Sequence, residues 1–177
     1  QQPASGEDHG ATRDSLYDFI IERLKSYIVD GKQGVTADMF ESVRSRRPAS
    51  LADFQERLRA VVVFVELEQA VSLAAANKRT ANILRQADYT GENAIVDAAL
   101  LQDDAELVLY HAMQSARNDV APLIETRAYS DVLRRLAELR APVDSFFDDV
   151  MVMVENAALK NNRLALLAEL RALFLNV

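Results

Sequence analysis

Residues 129–154 read YSDVLRRLAELRAPVDSFFDDVMVMV. Val132, Leu133, Leu136, Leu139, Val143, Phe146, Phe147 and Val150 recur in steps of three and four, the period of a helix with one buried stripe. Ser130 can cap a helix start, and Asp131 suits the positive end of its dipole. Pro142 interrupts nothing if it opens a second helix, because a first-turn N–H has no intrahelical partner. The stretch therefore predicts two short helices with a bend at residues 140–142. They run into Val150-Met151-Val152-Met153-Val154, an apolar run too unbroken for a surface loop. This is the expected hub of a helical core.

Outward from that hub the same period returns. Leu16, Phe19, Ile20, Leu24, Tyr27 and Ile28 mark a first helix from Ser15, closed at Asp30-Gly31, while residues 1–13 form a polar lead-in or linker without periodicity. Thr36 can cap a second helix carrying Met39, Phe40 and Val43, and Pro48 ends that segment. Ser50 and Asp53 have capping-box spacing ahead of Phe54, Leu58, Val61, Val62 and Val65. The run Val61-Val62-Val63-Phe64-Val65 favours strand by propensity, but the cap and the Phe54–Leu58 step favour helix. A fourth helix covers residues 68–87 with an inward stripe of Ala70, Leu73, Ala74, Asn77, Ala81 and Leu84. After a longer connection containing Gly91, Asp103 and Glu106 open a fifth helix through about residue 125. A last helix, residues 157–174, carries Leu159, Arg163, Leu166, Leu167, Leu170, Leu173 and Phe174. Each segment presents one apolar face and can bury it only against the others. The fold class is all-α, a bundle of about seven to eight helices over residues 14–177.

Composition narrows the function. The chain has 177 residues, half of them apolar, only five glycines and no cysteine, which excludes disulfides and thiolate metal sites. No apolar run reaches the ~20 residues needed to cross a bilayer, no signal-peptide pattern opens the chain, and the expected setting is the cytoplasm. The net charge of −7 argues against indiscriminate polyanion binding. Its distribution is uneven. Residues 44–85 hold eight basic and four acidic side chains, whereas residues 1–43 hold four and eight and residues 86–177 eight and fifteen. One middle segment carries the positive charge of an otherwise acidic chain.

Catalysis finds little to use. His9 lies in the lead-in and His111 within a helix, with no partner at metal-ligand or acid–base spacing. Asp103-Asp104 and Asp148-Asp149 are neighbours in sequence and diverge by about 100° on a helix, so they cannot share a substrate. No glycine-rich phosphate loop or nucleophile elbow occurs. The middle segment offers binding chemistry instead. Lys78, Asn82 and Arg85 follow at i, i+4 and i+7, a row able to present two cations and an amide to a nucleotide loop; a solvated helix face explains the spacing as well. Arg44, Arg46 and Arg47 cluster at a helix end, where cations either complement the dipole or contact phosphate. Arg134 and Arg163 fit structural ion pairs. Phe146, Phe147, Met151 and Met153 have core spacing, and Tyr89 is the best-placed tyrosine for stacking on a base.

Three blocks carry a family resemblance. Asp131-Val132-Leu133-Arg134 resembles the Asp-Ala-Leu-Arg signature of the anticodon-binding domain named for it, with Val132 in place of the eponymous alanine. The continuation through Val150-Met151-Val152-Met153 is similar to the C-terminal region of the bacterial glycyl-tRNA synthetase beta subunit. So are Ala74-Ala75-Ala76-Asn77-Lys78-Arg79 with Asn82-Ile83-Leu84, and Asn162-Arg163-Leu164-Ala165-Leu166-Leu167. The blocks keep order and spacing over about residues 16–177, and the resemblance implies a family that runs a few residues past Val177.

That resemblance implies a non-catalytic domain that recognises the anticodon stem-loop of glycine tRNA, within an ATP-dependent glycine–tRNA ligase. It adds Arg79 to the candidate contacts and favours RNA as the ligand of Arg44, Arg46, Arg47, Lys78, Arg79, Asn82 and Arg85. It implies an alpha subunit as partner, and ATP, glycine and magnesium as needs of the holoenzyme, with no cofactor on these residues. Two alternatives remain: the related domain of an arginyl-tRNA synthetase, and a helical scaffold that binds only protein.

Overall fold

A computed structural model describes residues 8–29, 34–91 and 95–176. Eight α-helices and one short 3-10 turn, Ala98–Leu100, make up the regular structure among these residues, with no strand. The chain divides into two compact units, Gln1–Leu58 and Arg59–Val177.

In the first unit, helix α1 spans Asp8–Val29 and α2 spans Ala37–Arg44; α3, Leu51–Val65, crosses the division. α1 begins seven residues before the expected Ser15. Hydrophobic periodicity does not mark a helix start that is polar in sequence. The expected close at Asp30-Gly31 lies outside the described residues, as do residues 1–7 of the lead-in and the side chain of His9. Thr36 caps α2 as its sequence suggests, its Oγ1 accepting the Met39 N–H at 3.2 Å. Ser50 Oγ accepts the Asp53 N–H at 3.1 Å and starts α3. Ile21, Ile28, Phe40, Val43, Phe54 and Leu58 are buried, with the Phe40 and Phe54 rings 5.0 Å apart.

The second unit holds α4 (Ala70–Gln86), α5 (Asp104–Glu125), α6 (Tyr129–Ala137), α7 (Arg140–Asp149) and α8 (Ala157–Leu175). One continuous core joins Leu73 and Leu84 of α4, Leu109 and Met113 of α5, Leu136 of α6, Val143 and Phe146 of α7, and Leu164, Leu166, Leu167, Leu170 and Leu173 of α8. The valine run of α3 is helical, and Ala60 packs with Tyr129 and Leu133 while Phe64 lies against them. Tertiary packing outweighs strand propensity there.

The α6–α7 pair lies in this core and packs chiefly on α5, and the most enclosed stretch belongs to α8. Every residue from Asn162 to Leu167 is buried, so over this stretch the helix is enclosed on all sides instead of showing one apolar face. The α6–α7 break falls at Glu138 and Leu139, two residues ahead of the expected bend. There the Leu139 N–H donates to the Leu136 carbonyl at 3.0 Å. Pro142 then occupies the first turn of α7, where its missing N–H costs nothing. Ser130 does not cap α6. The N-cap is Ala128, with no side-chain bond, because α5 closes so tightly that α6 starts at once. Arg127 there takes φ 57°, and the Ala128 N–H donates to the Leu123 carbonyl at 2.8 Å.

The run at residues 150–154 leaves α7 extended at Val150 and then bends, the Val154 N–H donating to the Val152 carbonyl at 3.2 Å, and burial alternates along it. Val150 and Val152 are buried, whereas Met151 and Met153 are 72% and 51% exposed. The core role expected for the two methionines is therefore corrected: a period of two puts them outside. Of the aromatic pair, Phe146 is fully buried and Phe147 half-buried.

Candidate nucleic-acid interface

Helix α4 owes its position to two neighbours, α7 and α8. Ala70, Leu73, Ala76, Thr80 and Leu84 form its buried stripe. Ala74 is exposed, and Asn77 and Ala81 are half-buried, so the expected stripe is rotated toward Ala76 and Thr80. Contact on two sides widens the covered arc, and a threonine at its centre is invisible to a search for apolar periodicity. The Asn77 Oδ1 and Thr80 Oγ1 atoms are buried with no hydrogen-bond partner among the described residues. Two polar links fix α4 and the residues before it against α7. Ser72 Oγ donates to Asp144 Oδ1 at 2.7 Å, and Arg140 Nη1 donates to Glu68 Oε1 at 3.2 Å.

The opposite face carries the expected row. Lys78 and Arg85 are exposed and Asn82 half-buried, rising about 10 Å along the helix. Arg85 Nη2 donates to Asn82 Oδ1 at 3.1 Å, which orders the guanidinium without neutralising it. Arg79 is exposed too, and its guanidinium carbon sits 4.4 Å above the centroid of the Phe147 ring. None of Lys78, Arg79 and Arg85 has a carboxylate partner among the described residues. Exposed Ala74 and Ala75 and the 79%-exposed Val71 leave the preceding turn of this face flat.

Arg44, Arg46 and Arg47, in the first unit, have a different setting. Arg44 Nη1 lies 3.1 Å from Glu22 Oε2 and 3.5 Å from Glu41 Oε1. Arg47 Nη1 lies 3.5 Å from Asp18 Oδ1, with its guanidinium over the Tyr17 ring. Arg46 is exposed.

Several other arginines of the second unit are paired with carboxylates. In the four-residue signature, Val132 and Leu133 enter the core while Arg134 pairs with Asp131 at 3.0 Å on the outside. Arg135 is held by Asp119 at 2.8 Å and Glu138 at 3.0 Å. Arg163, only 6% exposed, is paired as its place in an apolar stripe requires. It donates to Glu106 Oε1 at 2.7 Å, to Asp103 Oδ2 at 2.8 Å and to the Met151 carbonyl at 2.8 Å. One guanidinium thereby ties α8, the start of α5 and the strap at residues 150–154 together. Glu106 also accepts the backbone N–H groups of Asp103 and Gln102, both at 2.9 Å. Burial pushes the Glu106 carboxyl up, but the Arg163 and backbone hydrogen bonds outweigh it and hold it below the ordinary carboxylate range. Sequence spacing shows the Asp103–Glu106 pairing but not the Arg163 that completes it, since 57 residues separate the two.

The remaining candidates recede. His111 is exposed, edge-on to Tyr110. Tyr89 is half-buried against the core, and no group of three His, Asp or Glu able to hold a metal occurs among the described residues. No helix there is long and apolar enough to cross a membrane.

The second unit is thus a helical bundle with a buried charged staple and, on α4, a cationic face without carboxylate partners among the described residues. The chain belongs to the DALR anticodon binding domain family, whose model matches residues 73–176. It is 43% identical over 164 residues to the glycine–tRNA ligase beta subunit of Chromohalobacter salexigens, covering 93% of this chain and 23% of that protein. The corresponding subunit of Pseudomonas aeruginosa is 47% identical over 165 residues, 93% of this chain and 24% of the relative. That of Aliivibrio salmonicida is 48% identical over 163 residues, 92% and 23%. The chain thus spans about a quarter of the length of these relatives.

Proposed function

We propose that this chain binds the anticodon stem-loop of glycine tRNA through the outer face of α4, as the recognition module of a glycine–tRNA ligase beta subunit. The observation that carries the reading is the α4 row. Lys78, Arg79 and Arg85 stand exposed without carboxylates among the described residues, on a domain of the anticodon-binding family. Lys78 and Arg85 anchor phosphates, while Asn82 and the guanidinium edges meet unpaired bases. The flat Ala74–Ala75 turn admits the RNA backbone close to the helix. Arg44 and Arg47 are assigned instead to holding α1 against α2, and Arg46 carries no part of the proposal.

In the same reading the domain serves a cytoplasmic ligase with a separate alpha subunit. ATP, glycine and magnesium act elsewhere in that assembly. The names of the relatives favour this reading over an arginyl-type domain.

An electrophoretic shift of glycine tRNA by the 177-residue chain at two salt concentrations tests it. Affinity should fall about 10-fold or more from 50 to 200 mM salt if two to three phosphates are neutralised. No shift at low salt would instead favour a scaffold that binds only protein.

A further inference from the structure

Among the cations of the α4 face, Arg79 is held in a distinctive way. Its partner ring, Phe147, is half-buried at the end of α7 and packs edge-on against the fully buried Phe146, centroids 5.5 Å apart. The ring is therefore part of the core's edge and not a mobile surface group. The Ser72–Asp144 hydrogen bond keeps α4 and α7 in register beneath it. Arg79 lies closer to its ring, at 4.4 Å, than Arg47 does to Tyr17 at 5.1 Å or Arg23 to Phe19 at 5.7 Å.

A guanidinium on an aromatic ring uses one face for the attraction and none of its N–H groups. Its five donors lie in one plane, none of them hydrogen-bonded among the described residues, and the ring fixes where the group sits. Such a fork matches two neighbouring acceptors. Among unpaired bases, cytosine offers O2 and N3 on one edge and guanine offers O6 and N7; uracil and adenine interleave acceptors with a donor.

We propose that Arg79, seated on Phe147, is a specificity-determining contact that reads an unpaired cytosine or guanine through its guanidinium edge. This rests on the reading of the α4 face as an RNA surface. Lys78 lacks the fork and serves as a phosphate anchor, and Arg85 already spends a donor on Asn82.

The test uses the 177-residue chain and glycine tRNA transcripts in which each anticodon base is replaced in turn by the other three. At one position cytosine or guanine should be preferred over uracil and adenine by roughly 5- to 100-fold, the range of a bidentate pair. Arg79→Lys keeps the charge and loses the fork. It should abolish that preference while leaving the preferences elsewhere and the salt dependence unchanged. Phe147→Leu, which keeps Arg79 but removes its platform, should weaken the preference at the same position. An even loss over all transcripts in Arg79→Lys, or a preference that survives it, would overturn this role while leaving RNA binding intact. Failure of the unsubstituted chain to bind any transcript at low salt would remove the RNA reading, and this role with it.

Discussion

In the first unit Arg44 faces Glu22 at 3.1 Å and Arg47 faces Asp18 at 3.5 Å, whereas in the second Lys78, Arg79 and Arg85 line α4 without a carboxylate partner among the described residues. Both clusters come from the one segment of the chain where basic residues outnumber acidic ones. The difference lies in what the fold sets opposite them. Helix α1 brings Asp18 and Glu22 to the end of α2, and those cations become ties between two helices. Helix α4 points Lys78 and Arg85 away from its buried stripe and sets Arg79 on the Phe147 ring instead of on a carboxylate, so this charge is available to a ligand. Composition shows where positive charge is concentrated, but only topology decides which cations are already satisfied.

Arg163 is the extreme of the satisfied kind, and removing it should have the largest effect. Arg163→Ala leaves Glu106 buried without its main partner and frees the strap at Met151. A loss of about 3–5 kcal/mol is expected, read by urea unfolding. A loss below about 1 kcal/mol would show that the staple is not structural.

The same staple sets a pH limb. Because the folded Glu106 carboxyl is held below its ordinary range, its contribution is complete above the unfolded-state value and disappears as pH falls through the folded one. Stability should therefore decline on acidification below the usual carboxylate range. Glu106→Gln should be less stable at neutral pH and show a shallower acid limb. An equally steep limb in that variant would assign the decline to other carboxylates.

These two effects also mark how far the sequence can be read. Periodicity locates the helices, since α2 to α8 each bury apolar residues at helical steps, and Thr36 and Ser50 mark two starts correctly. It misplaces what depends on neighbours distant in sequence. The enclosure of α8 between Asn162 and Leu167, the inward Thr80 and the outward Met151 and Met153 are set by packing partners. At the candidate interface the Lys78–Asn82–Arg85 row is legible from helical spacing alone. The pairing of Arg79 with Phe147 is not, because the two stand far apart in the chain, nor is the neutralisation of Arg44 by a carboxylate of another helix.

Arg127 provides a control for the comparison. It is an exposed cation with no carboxylate partner among the described residues, but it sits at φ 57° in the turn closing α5. Arg127→Gly relieves the left-handed conformation and should stabilise the chain by about 0.5–1 kcal/mol in thermal unfolding. Binding of glycine tRNA should not change. A loss of affinity would extend the interface beyond α4 and weaken the claim that this helix alone carries it.

The smallest stability effect is expected from Lys78→Ala with Arg85→Ala, since both residues are exposed on a helix and alanine is a good helix former. Their melting curve should match that of the unsubstituted chain while affinity for glycine tRNA falls. A collapse of the fold would show these positions to be structural.

The most direct measurement is the slope of log affinity for glycine tRNA against log salt, compared between that double variant and Arg44→Ala with Arg47→Ala. The α4 variant should lower the slope by about two, one for each phosphate no longer neutralised. The first-unit variant should leave it unchanged. A slope that drops for Arg44 and Arg47 but not for Lys78 and Arg85 would contradict the assignment of the two clusters.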